Sequence, residues 1–143
     1  MAIVQTQTTS FKAQLYQGIH DLTTDVIKIA LYTASADLNE DTTVYSSTNE
    51  VANTGTYAAG GSDLAGQNTS IASGVAIVDF ADLSFTGVTL TARGALIYNT
   101  SSAVTNAAVA VLDFGADKTA TSGTFTVQFP AFTTAAAILR ISG

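Results

Sequence analysis

"TLTARGALIYN", residues 89–99, decides how this chain folds. Its alternation makes it a strand, with Leu90, Ala92, Gly94, Leu96 and Tyr98 on one face and Arg93, Ala95 and Ile97 on the other. Both faces carry apolar groups, so the strand is expected to be covered on both sides. Gly94 in its middle marks a bulge, a bend or a close backbone approach. Arg93 would sit at that bend. An unpaired guanidinium is costly there, so a carboxylate such as Asp79, Asp82 or Asp113 is expected beside it. The reading places Arg93 in the scaffold or in a contact between subunits, ahead of a ligand clamp.

Downstream, "AAVAVLDF", "GTFTVQFP" and "AAAILRIS" have the same strand character, and upstream so do "VIKIALYT" and "TSIASGVAIVDF". Gly, Asn, Asp and Ser turn signals separate them. This spacing predicts a mainly-β fold, an antiparallel sandwich or barrel-like domain. The polar, glycine-bearing residues 34–67 read as a surface excursion with one or two short strands. Nearer the start, Ser10 is a plausible N-cap, and Phe11, Leu15 and Ile19 recur at four-residue spacing. That predicts one short amphipathic helix over residues 11–20. Residues 1–9, "MAIVQTQTT", read as an N-terminal arm ahead of a single domain, 10–143. Ile3 and Val4 are its apolar anchors, suited to adding a strand to a neighbouring chain.

Composition narrows the function. A chain of 143 residues with 47% hydrophobic and 11% charged residues folds as one domain with a real core. Its formal charge of −6 and scattered bases argue against coating nucleic acid. It has no cysteine, which excludes disulfides and thiolate catalysis. No apolar run reaches membrane-spanning length, and the start lacks the pattern of a secretory signal.

Chemistry-bearing motifs are sparse. His20 is the only histidine, and no G-x-S-x-G elbow accompanies it, so it is expected near the helix end, meeting terminal carbonyls. The carboxylate pairs Asp79/Asp82 and Asp113/Asp117, and the trio Asp37/Glu40/Asp41, fall at strand ends and turns, where acids solvate turns. "DLNEDTTVYSST", residues 37–48, begins like a calcium loop but has Thr42 and Thr48 where the pattern needs Gly and Glu. It reads as a solvated acidic loop. "GTYAAGGSDLAG" lacks the flanking strand, helix and basic residue of a phosphate loop. A non-enzymatic protein without a cofactor is the expectation.

Taken together, "SFKAQLYQGIHD", "IKIALYTASADLNEDTTVYSSTNEV", "GTYAAGG", "LTARGALIYN" and "AVAVLDFGADKTATSGTFTVQFP" resemble small virion structural proteins of tailed bacteriophages. The likeness is to capsid decoration, or cement, proteins, with tail, neck or fibre components as the alternative. It implies a partner, the major capsid protein, and self-association, with a trimer suiting threefold positions of a shell. It also implies a place on the capsid surface of a virion assembled in the bacterial host cytoplasm. No catalytic residues follow from it. The alternative would give residues 35–70 a receptor- or glycan-binding role.

Overall fold

The computed structural model describes residues 2–129 and 139–142. Nine elements follow in order: β1 (Thr6–Gln7), α1 (Thr9–Tyr16), β2 (Ile27–Tyr32), β3 (Ser62–Asp63), β4 (Asn68–Ala72), β5 (Val75–Asp79), β6 (Leu83–Asn99), β7 (Ala107–Val127) and β8 (Leu139–Ser142). They form a five-stranded sheet, β1-β7-β6-β2-β3, and a three-stranded sheet, β4-β5-β8. Every pairing between these strands is antiparallel. The protein is therefore mainly β with one short helix, as the strand spacing predicts.

The large sheet is covered on both faces. On one, Ile27, Ile29 and Leu31 of β2 and Ala95 and Ile97 of β6 join Phe11 of α1, Phe80, Phe85 and Leu139 in the main core. On the other, Ala30, Tyr32, Leu96 and Tyr98 pack with Ile3, Ala36 and Leu38. Two buried faces explain why β2 reads as a continuous apolar run rather than an alternation.

The opening stretch departs from simple alternation at the point where it carries arginine and glycine. Ala92 pairs with Lys118 but Gly94 pairs with Asp113, so two steps along β6 correspond to five along β7. The surplus lies in β7, as a wide bulge opposite Arg93. The face changes across the same irregularity: Leu90 and Ala92 belong to the main core with Ala95 and Ile97, not with Leu96 and Tyr98. Strict alternation put them on the wrong side.

The helix also begins and ends earlier than the spacing suggests. Its N-cap is Thr8, whose Oγ1 accepts from the Phe11 amide at 3.3 Å, and not Ser10. It stops at Tyr16. Gly18 adopts φ +69°, and the amides of Gly18 and Ile19 donate to the carbonyls of Leu15 and Gln14, a Schellman ending. Ile19 thus lies beyond the helix.

The arm is not free. Thr6 and Gln7 pair with Val111 and Ala110 of β7, and Ile3 and Leu38 form a parallel bridge. Ile3 is buried, whereas Val4 remains 48% exposed. The expectation that Ile3 anchors a neighbouring chain is corrected: its side chain lies in this chain's own second core, because Gly94 leaves room for it. Thr8, within the arm, is fully buried and caps the helix.

Two strand boundaries also differ. "TSIASGVAIVDF" is a hairpin, β4–β5, turning at Ser73 and Gly74, both at positive φ as a two-residue turn of this kind requires. "AAVAVLDF" and "GTFTV" are one long strand, β7. The first four residues of "AAAILRIS" lie outside the described residues.

Candidate functional site

Three polar clusters collect the residues able to do chemistry, and each joins segments of this chain.

The first is built on Arg93. Its Nε lies 3.6 Å from Asp113 Oδ1 and its Nη1 4.0 Å from Asp117 Oδ1. Asp113 is one of the carboxylates expected from the sequence; Asp79 and Asp82 instead accept the amides of Phe80 and Phe129. The two partners stand at either end of the β7 bulge, and Asp113 Oδ1 also accepts the Gly115 amide at 2.8 Å. That second bond holds the carboxylate away from Nε, which is buried without a hydrogen bond. Arg93 thus screens two acids that the bulge brings together. Its side chain is 38% exposed, so the pair belongs with solvent-screened bridges. Arg93→Ala is expected to cost about 1 kcal/mol, read as a small fall in melting temperature. A loss above about 3 kcal/mol, the range of a buried pair, would contradict this placement.

The second cluster surrounds His20. Nε2 meets Gln14 Oε1 at 2.7 Å and Nδ1 meets Asn99 Nδ2 at 2.9 Å. Asn99 is fully buried, and its orientation is fixed independently: its amide nitrogen also donates to Asp25 Oδ2 at 2.7 Å, and its oxygen accepts from the amides of Ser101 and Ser102. A donor therefore faces Nδ1, so the imidazole is neutral with its proton on Nε2. Both nitrogens are engaged by amides, and neither holds a nucleophile. His20 bonds to the Gln14 side chain, not to helix-end carbonyls as expected. Desolvation lowers its pKa below 6.5, partly offset by the charge of Asp25.

The sign for stability follows. A histidine whose folded pKa lies below its unfolded value binds protons more readily when unfolded. Its contribution is complete above pH 6.5 and is lost as pH falls through the lower folded value. Melting temperature should drop more steeply between about pH 7.5 and about pH 5.5 (roughly one unit either side of the unfolded value) in the wild type than in His20→Asn. Parallel slopes would refute the neutral-imidazole assignment.

The third cluster was not foreseen. Glu50 accepts from the hydroxyls of Tyr45 at 2.5 Å and Tyr57 at 2.6 Å, and from the Gly60 amide at 2.7 Å. Tyr98 donates to the Gly60 carbonyl at 2.5 Å and stacks on Tyr45, ring centroids 4.7 Å apart. Tyr32 donates to the Ser46 carbonyl at 2.6 Å. Four of the five tyrosines thus meet at one carboxylate or its neighbours. Burial, reinforced by the charge of Glu50, raises all four phenol pKa values, that of Tyr98 to about 12, so they remain hydrogen-bond donors. The sequence signal was faint: tyrosines spaced 13, 12 and 41 residues apart share no motif.

Part of the acidic loop's oxygen complement bonds within the loop. Asn39 Oδ1 accepts the Asp41 amide, and Thr42 Oγ1 accepts the Asn39 amide. Among the described residues, no group of three or more His, Asp or Glu is placed to hold a metal ion. Nor is any helix among them long and apolar enough to cross a membrane.

What remains outward-facing is a different kind of feature. Beyond Val111 the outer edge of β7 has no strand partner among the described residues, and β4 is exposed along its whole length. Tyr16, Ile71 and Ile141 are 95%, 82% and 50% exposed. Fold and site together define a mainly-β domain with internal polar clamps, open strand edges and an apolar outer patch. Comparison with known proteins finds no match: no protein-family model, no curated protein and no solved structure aligns with the chain.

Proposed function

We propose that this chain is a non-enzymatic structural protein of a tailed-bacteriophage particle, acting as a decoration protein that clamps neighbouring major-capsid subunits. The phage assignment rests on the sequence blocks quoted above. One structural observation supports the mode of action: the side chains with catalytic potential, His20, Glu50 and Arg93, bind segments of their own chain, while apolar side chains and strand edges face outward. Such a surface works through contact area repeated over a lattice. Association of copies, as a trimer at threefold positions, belongs to the same proposal.

Purified protein mixed with capsid shells that lack it should co-sediment at saturating, stoichiometric occupancy and raise the temperature at which the shells break open. Shells that neither take up the protein nor gain heat resistance would overturn the proposal.

A second reading, a tail, neck or fibre component, is favoured by one feature. The excursion encloses a hollow of about 440 Å³ lined by Tyr32, Asp37, Asn39, Asp41, Thr42 and Asn49. Convergent amide, hydroxyl and carboxylate oxygens of this kind suit sugar hydroxyls. Glycan-array binding abolished by Asp41→Ala would select this reading.

A further inference from the structure

The chain is acidic overall, yet one side of it is not. A hollow of about 570 Å³ between α1 and β8 is lined by Lys12, Leu15, Tyr16, Arg140 and Ile141, together with Gln7. It shares Tyr16 and Ile141 with a second hollow of about 580 Å³ that runs along the β4–β5 hairpin past Ile71. Two of the chain's five basic residues line this groove and none of its eleven acids does. The floor is fixed, because Gln7 Nε2 donates to the Arg140 carbonyl at 2.7 Å and so ties β8 to β1.

We propose that this groove docks an apolar, carboxylate-bearing segment of a partner protein. The most exposed large apolar residues of the described chain, Tyr16 and Ile71, lie along it, and supply the anchor surface. Lys12, exposed in a lining that holds no acid, supplies charge complementarity at one end. Nucleic acid is a poor occupant, since two cations on a chain of net charge −6 cannot track a phosphate backbone and the remaining lining is apolar. A second copy meeting the same face across a twofold axis would set Lys12 against its own equivalent, like charge against like.

The inference deepens the assembly reading and rests on it for the identity of the partner. The test uses the full chain and an array of short labelled peptides with Leu and Phe anchors flanked by Glu, beside matched peptides with Lys in place of Glu. The acidic set should bind, more weakly as salt rises. Lys12→Glu and Tyr16→Ser should each weaken binding at least about tenfold with unchanged melting, since Tyr16 is 95% exposed. Equal binding of both peptide sets, no binding by either, or indifference to both substitutions would overturn the proposal. So would sedimentation showing a wild-type oligomer that Tyr16→Ser dissolves, because the occupant would then be a second copy. The shells separate the two ideas. If wild type and both variants occupy them equally, the groove is excluded and the assembly reading stands. If wild type does not occupy them but the peptide discrimination holds, the assembly reading fails and the docking site stands.

Discussion

Replacing Glu50 with alanine is expected to destabilise the protein by about 3–4 kcal/mol, and the reason lies in what the carboxylate holds. It accepts from Tyr45, Tyr57 and the Gly60 amide, and hydrogen bonds to a charged acceptor are each worth about 1.5–3 kcal/mol. Tyr57 matters most. Its ring is buried, and its hydroxyl also accepts the Leu31 amide at 2.8 Å, completing the outer edge of β2 where β3 no longer reaches. Without Glu50 that hydroxyl loses its acceptor in a desolvated setting, and the excursion loses one of its ties to the sheet. For a domain of this size the loss corresponds to a fall in melting temperature of roughly 6–16 °C. Glu50→Gln, which keeps one acceptor oxygen, should lose about half as much. A shift below about 1 kcal/mol for Glu50→Ala would mean that the tyrosine cluster is incidental to the fold.

Gly94→Ala is expected to cost about 3 kcal/mol, at the upper end for overpacking a core. A Cβ at this position would stand 2.4 Å from the Leu112 carbonyl oxygen and 2.8 Å from Ile3 Cγ2. The carbonyl belongs to the paired β7 strand and cannot swing aside as a side chain would. Ile3 can, at the cost of the arm's burial. Ile3→Ala alone should lose about 2 kcal/mol by opening a cavity. In combination the two losses should be less than additive, because removing Ile3 relieves one of the two clashes. Denaturant melts of the four proteins of this cycle provide the measurement. Strict additivity would show that the arm does not rest on Gly94.

How far the sequence carries these conclusions depends on the range of each signal. Local periodicity was enough for the class of fold, since β2 is a short apolar run, the first half of β6 alternates, and β7 opens on an apolar run, all at strand length. It was also enough for a carboxylate beside Arg93, at Asp113, although the guanidinium is half-buried and the pair solvent-screened. Periodicity failed where a partner strand intervened. Gly94 marks an irregularity, but the surplus residues opposite Arg93 belong to β7, so "TLTARGALIYN" alone does not say that Leu90 and Leu96 join different cores. The arm was misread for a related reason: Ile3 has its place only because Gly94 lacks a side chain, a match across 91 positions of sequence. The Glu50 cluster was invisible for the same cause, as its tyrosines come from β2, β6 and the excursion.

The central claim is that the chain works by covering a shell, with its polar groups serving its own scaffold. Electron-microscopic reconstruction of intact virions tests it most directly, comparing particles with and without this protein. The account predicts difference density repeated over the capsid lattice, sized for this domain and seated across the junctions between major-capsid subunits. Density confined to the tail, neck or fibres, or no difference at all, would contradict it.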